Sequence, residues 1–244
     1  SGRAMIGAVS DAQASMQEYR EYIESWVHEI KTPLTAAKLT CRHLEPDSRR
    51  KFSAELAQIE AHVERALYYA RVKSPEQDCI IRQTALADIV SQAVRNHRTL
   101  LIQSQMKIET GDLDFTVYTD RKWAVFMLGQ LLQNASRYRN NDSPSILLTA
   151  TRCGRQVRLT VSDNGIGIPA HELPRVFDRG FTGSNGRTRG GSTGMGLYLC
   201  RKLAALLEID LQISSEEQKG TAVTLTFPAR QAAETLQDCK TNPY

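Results

Sequence analysis

The sequence predicts an α+β chain of two domains. A helical hairpin at 1–72 pairs with a second copy into a four-helix bundle, and an α/β sandwich at 79–230 lays helices on one face of a mixed sheet. Three observations carry this. Apolar residues recur every seven positions at Val9, Met16, Ile23, Ile30, Ala37 and Leu44, as one long helix packed along a seam requires. A four-three alternation follows at Phe52, Leu56, Ile59, Val63, Ala66 and Ala70. Beyond residue 79 the pattern changes to short alternating strands mixed irregularly with amphipathic helices.

The first helix runs over 5–44, Pro46 stops it, and Asp47 or Ser48 caps the second. One hairpin has only a narrow shared core, so a homodimer is expected; the alternative is a two-helix arm resting on the other domain. Residues 73–78, with Pro75, break both periodicities and read as a linker. A strand at 79–82, a helix at 85–98 and strands at 107–109 and 115–118 follow. Asp120 caps a long helix that reaches Tyr138. Strands are expected at 146–151, 157–162, 211–214 and 222–227, with a helix at 195–207 among them. The polar tail at 231–244 is either frayed or a short helix.

Hydrophobic content of 41%, charged content of 24% and a net charge of +4 are ordinary for a globular chain and suit an anionic ligand or an acidic partner surface. No basic run is interleaved with aromatics, so nucleic acid is not expected as a partner. Five scattered cysteines without a C-x-x-C pair argue against a disulfide framework or a metal cage, and fit a reducing compartment. No apolar run reaches the length of about eighteen residues that spans a membrane.

His28 is the candidate nucleophile. It lies five residues after Ile23, about 140° round the helix, and so turns away from the seam. Glu29 can accept the imidazole proton, leaving a ring nitrogen free to attack an electrophile. Thr32, one turn on, shares the His28 face and could orient a water. Pro33 has no N–H for the Glu29 carbonyl, so a bend is expected there; the alternative is that Pro33 begins a new helix.

Four segments of the second domain suit a nucleotide. Gln130 and Asn134 share a helix face and could bring amide oxygens to a hard cation, with Arg137 offering a fork for phosphate; the alternative is an amphipathic helix with incidental polar residues. In Asp163-Asn164-Gly165-Ile166-Gly167-Ile168-Pro169 a carboxylate at a strand end can accept from a base amino group, two glycines permit close approach, and Ile166, Ile168 and Pro169 wall an apolar slot. Its alternative is a tight hairpin turn. Residues 175–189 form a long polar loop rich in Gly and Arg, as lids are. Gly190-Gly191-Ser192-Thr193-Gly194-Met195-Gly196-Leu197 leads into a helix whose bared N–H groups attract anions. It has neither P-loop nor dinucleotide spacing.

The run His28-Glu29-Ile30-Lys31-Thr32-Pro33-Leu34 resembles the phosphoacceptor box of bacterial two-component sensor histidine kinases. The four segments resemble, in order, the N, G1, F and G2 boxes of that family's ATP domain, a fold shared with gyrase-type, Hsp90-type and MutL-type ATPases. The resemblance covers about 8–227. It implies that ATP phosphorylates His28 and that the phosphoryl group passes to an Asp of a response regulator, with Glu29 taking the imidazole proton and Thr32 serving regulator dephosphorylation. It further implies Mg²⁺ on Asn134, with Gln130 a second ligand or water-holder where the family often has Glu. Arg137, where Lys is common, would touch phosphate, and Tyr138 would pack beside the nucleotide. Asp163 would take the adenine amino group, with Gly165, Gly167, Ile168 and Thr221 around it. Phe177 and Phe181 would anchor a lid that Gly194 and Gly196 let close over the phosphates, with Thr193 also among the nucleotide-binding residues.

Gly180-Phe181-Thr182-Gly183 with Ser192-Thr193-Gly194-Met195-Gly196-Leu197-Tyr198-Leu199 is similar to the subgroup that responds to bacitracin and other antimicrobial peptides. That likeness implies membrane helices upstream and an ABC transporter as companion; Ser1-Gly2 reads as a cloning remnant. Two rival functions stand beside it: an ATPase of the same nucleotide fold, as the resemblance also allows, that drives clamp closure without using His28, and a dimeric scaffold that binds nucleotide or a partner and transfers nothing.

Overall fold

The computed structural model describes residues 2–72, 79–140, 142–189 and 193–228. The expected linker at 73–78, the tail at 231–244 and the glycine segment's Gly190, Gly191 and Ser192 lie outside the described residues, as do the side chains of Val9, Met16 and Ala70. The chain divides into two compact units, 1–78 and 79–244.

In the first unit α1 (Gly2–Cys41) and α2 (Pro46–Val72) pack as a hairpin. Val27 and Val63 form its core, with Ile23 and Ile30 against them. The seam of α1 is wider than a single seven-residue stripe: Val27, Leu34 and Cys41 form a second, more deeply buried one. Leu44, expected to continue the first stripe, is exposed and outside the helix. Backbone bonds from Arg42, His43 and Leu44 to Leu39, Thr40 and Cys41 tighten the last turn and end α1 three residues earlier.

Pro33 lies inside α1, which continues through it. Neither Asp47 nor Ser48 caps α2. Pro46 is its first residue, where a missing N–H is harmless, and the first internal bond runs from Arg49 N to the Glu45 carbonyl. Asp47 instead sits in the first turn, where its charge suits the helix dipole. On α2, Leu56 and Val63 turn inward, whereas Phe52 and Ile59 remain 56% and 46% exposed, since a single hairpin covers only one of the two apolar stripes.

The second unit is built on a five-stranded sheet in the order β2-β4-β5-β7-β6: β2 (Lys107–Thr110), β4 (Ser145–Cys153), β5 (Gln156–Asp163), β6 (Asp210–Glu216) and β7 (Gly220–Phe227). Only the β2-β4 pair is parallel. β1 (Arg82–Ala85) and β3 (Thr116–Thr119) form a separate antiparallel ribbon. Cross-strand rows such as Leu148-Val161-Val223-Ile213 and Ala150-Leu159-Leu225-Leu211 make one apolar face. The intervening row Thr149-Thr160-Thr224-Gln212 makes the other, polar one, as expected of an antiparallel sheet covered on one side. α3 (Leu86–Asn96), α4 (Arg98–Gln103), α5 (Arg121–Arg137), α6 (Gly183–Arg189) and α7 (Gly196–Leu206) complete the unit.

Asp120 caps α5, accepting from Lys122 N at 2.8 Å and Trp123 N at 3.2 Å, and also holds Ile80 N at 2.9 Å. Two local expectations shift. The first strand is Arg82–Ala85, not 79–82, because pairing with β3 begins at Arg82↔Thr119. The helix expected over 85–98 ends at Asn96, and after His97 a second helix runs on over Arg98–Gln103.

Candidate functional site

The end of the sheet's covered face turns polar. One row across it runs Ile146-Asp163-Thr221-Ser215, in register with the apolar row Leu148-Val161-Val223-Ile213 beside it. Asp163 Oδ1 accepts from Gly165 N at 2.8 Å. Burial pushes the Asp163 carboxyl above the usual carboxylate range, and hydrogen bonds from the Gly165 and Thr221 amides partly oppose this. A half-buried acceptor is thus presented where the strands stop.

The 163–168 segment is not a hairpin, for β5 pairs with β4 and β7. It is a loop clamped between α5 and the β6–β7 turn. Ile166 N donates to the Tyr138 carbonyl at 2.9 Å, and Gln218 N donates to the Ile166 carbonyl at 2.8 Å. Gly167 has φ +67°, and a Cβ there would stand 2.1 Å from the Glu216 carbonyl oxygen, so only glycine fits. Ile168 N donates to Ser215 Oγ at 2.9 Å, and Ser215 Oγ also touches Thr221 Oγ1 at 2.9 Å. Ser215 escapes sequence reading: one of two adjacent strand serines carries no periodic signal of its own, and only the register beside Thr221 reveals it.

On α5, Gln130, Asn134 and Arg137 follow one another a turn apart, and Tyr138 is the C-terminal cap residue that receives the loop. Gln130 is 5% exposed, whereas Asn134, Arg137 and Tyr138 are half-buried. A Cβ on Gly196 would lie 2.8 Å from Gln130 Oε1, which places the start of α7 against this face. Two neutral amides suit a hard cation shared with ligand oxygens rather than held by protein alone. Among the described residues no cluster of three His, Cys, Asp or Glu could hold a metal.

The segment over 175–189 holds Phe177 and Phe181 half-buried, with the Arg175 guanidinium 4.7 Å from the Phe181 ring and that of Arg201 6.0 Å from Phe177. Asp178 pairs with both arginines, at 3.8 and 3.9 Å. The stretch expected as loop contains α6, whose Ser184 N donates to Glu172 Oε1 at 2.8 Å. Gly180 N donates to the Gly194 carbonyl at 3.1 Å, and Thr193 beside it is exposed. The structure therefore brings Gln130 to Gly196, Tyr138 to Gly165, Gly167 and Ile168 to β6, Asp163 to Thr221, and the Phe181 segment to Gly194.

His28, Glu29 and Thr32 belong to the other unit. All three are exposed on α1, and Thr32 Oγ1 donates to the His28 carbonyl at 3.3 Å.

Residues 119–231 match the family described as histidine kinase-, DNA gyrase B- and HSP90-like ATPase. The chain is 33% identical over 221 residues to the sensor protein BceS of Halalkalibacterium halodurans, covering 88% of this chain and 64% of that protein. It is 32% identical over 219 residues to the sensor histidine kinase YxdK of Bacillus subtilis, covering 89% and 67%. The crystal structure of full-length ShkA in complex with AMPPNP superposes with a TM-score of 0.61 at 19% identity, over 85% of this chain and 45% of that one, a likeness of fold.

Proposed function

The chain belongs to the sensor histidine kinases, and on that premise we propose that it transfers the γ-phosphoryl group of ATP to a ring nitrogen of His28 and then to an Asp of a response regulator. An ATPase-family domain implies the use of ATP. The observation that carries the rest is an exposed His28 beside Glu29, on a helix continuous through Pro33, in a chain that also has a half-buried acceptor at Asp163.

In this reading Asp163 and Thr221 receive the adenine edge, and Gly165, Gly167 and Ile168 form its wall. Arg137 and the helix start at Gly194 and Gly196 face the phosphates, with Thr193, and Phe181 seats the lid. Asn134, with Gln130 as second ligand or water-holder, would hold Mg²⁺, which supplies charge neutralisation at the phosphates. Glu29 accepts the imidazole proton as the P–N bond forms and the bond to ADP breaks. Most of the rate comes from positioning and charge, so the two units need only bring donor and acceptor into line.

Phe52 and Ile59 suit burial against a second copy, giving a homodimeric four-helix bundle. The chain spans 64% of the length of BceS, and the whole protein is proposed as a membrane-anchored sensor of antimicrobial peptides or envelope stress acting beside an ABC transporter. Among the described residues no helix is long and apolar enough to cross a membrane.

The test is incubation with labelled MgATP. Acid-labile, base-stable label that disappears in His28→Gln supports the kinase. Phosphate release without label points to an ATPase, and neither outcome points to a scaffold.

A further inference from the structure

Ser215 Oγ has one proton to give and two lone pairs to receive. It lies 2.7 Å from the Gly220 carbonyl oxygen, which can only accept, so its proton is committed there. Gly220 has little room to move: its φ is +111° and a Cβ would stand 2.0 Å from the Asp163 carbonyl oxygen. Ile168 N–H fills one lone pair of Ser215. The remaining 2.9 Å contact, to Thr221 Oγ1, is a hydrogen bond only when Thr221 donates. The Thr221 proton therefore points at Ser215, and Thr221 offers a ligand nothing but lone pairs.

We propose that Ser215 is a positioning residue for base selectivity. By holding the Thr221 proton it makes the Asp163-Thr221 pair accept only, so the row receives a base edge bearing an amino group and turns away one bearing a carbonyl there. This rests on the nucleotide-site reading above. Without Ser215 the Thr221 hydroxyl is free to rotate and to donate to a carbonyl oxygen.

The experiment is equilibrium binding of ATP and inosine triphosphate, which has a carbonyl in place of the amino group, to the 244-residue chain. Wild type prefers ATP. Ser215→Ala narrows that preference by roughly tenfold, and Ser215→Thr, which keeps the hydroxyl, restores it. Ser215→Cys, which retains the size but is a poor hydrogen-bonding group, narrows it similarly and serves if the alanine variant does not fold. In a Thr221→Val background, Ser215→Ala alters the ratio no further. Equal weakening of both nucleotides in Ser215→Ala, or a change of ratio that persists in the Thr221→Val background, overturns the proposal while leaving the site reading intact. A wild-type chain that binds neither nucleotide overturns the site reading itself, and this proposal with it.

Discussion

The Thr32 hydroxyl donates to the main-chain carbonyl of His28 at 3.3 Å, one turn apart on the exposed face of α1. Its proton is turned to the helix and its lone pairs are left for a water beside the imidazole. Thr32→Val keeps the shape and removes those lone pairs. Labelling of His28 is expected to stay within about twofold of wild type, while regulator dephosphorylation falls about tenfold or more. Paired kinase and phosphatase assays check this.

Pro33 leaves the Glu29 carbonyl without its usual helical partner. Pro33→Ala restores that bond and is expected to stabilise the first unit by up to about 3 kcal/mol. A stiffer α1 should also shift the ratio of kinase to phosphatase activity. Equal ratios in wild type and mutant would remove the idea that this position flexes.

Burial raises the Asp163 pKa from 3.8, so the folded state favours the protonated form more than the unfolded chain does. Its contribution to folding is fully present below pH 3.8 and is lost as pH rises through the raised value. Ionising this carboxylate therefore weakens the fold while serving the ligand. Asp163→Asn is expected to melt no lower than wild type at neutral pH, yet to lose ATP affinity. Calorimetric melting and binding at the same pH separate the two effects.

Two glycines with similar φ should respond differently. Gly154, at φ +60° in the β4–β5 turn, has nothing within 4 Å of an added methyl, whereas Gly167, at φ +67°, meets the Glu216 carbonyl at 2.1 Å. Gly154→Ala is expected to cost only about 1 kcal/mol of left-handed strain. Gly167→Ala should push the loop off β6 and abolish ATP binding, which a titration with fluorescent nucleotide would show.

His97 fills the space that Gly129 leaves: a Cβ on Gly129 would stand 2.5 Å from its Cε1. The ring bonds the Ala93 carbonyl through Nδ1 and Gln133 Nε2 through Nε2, both at 2.9 Å. Gly129→Ala is expected to destabilise by about 1–3 kcal/mol through overpacking. In a His97→Ala background the same change should become stabilising by about 1 kcal/mol, as helix propensity then decides. Burial lowers the His97 pKa below 6.5, so folding stability should fall as pH drops below 6.5 and the unfolded imidazole takes up its proton. Denaturant melts across that range check this.

Periodicity and capping made α1, α2, α5 and the sheet strands legible, because Val63, Asp120 and the rows through Val161 act locally or by a simple repeat. Element ends were less so. Leu44 continues a stripe that turn hydrogen bonds have already closed, and the break at His97 falls where its ring packs against Gly129 of another helix, a contact far off in sequence. α6 is polar and glycine-rich, and its N-terminus is capped by Glu172, twelve residues earlier in sequence. Asp163, Asn134 and the glycines could be named from their order and spacing, whereas Ser215 acquires meaning only from the strand register beside Thr221.

The central claim is a covalent one, and site mapping tests it most directly. The chain is incubated with MgATP, digested at neutral to mildly alkaline pH where phosphohistidine survives, and read by tandem mass spectrometry. A phosphoryl group is expected on the peptide that holds His28 and on that ring alone. An unmodified His28 peptide from a chain shown to bind ATP would contradict it.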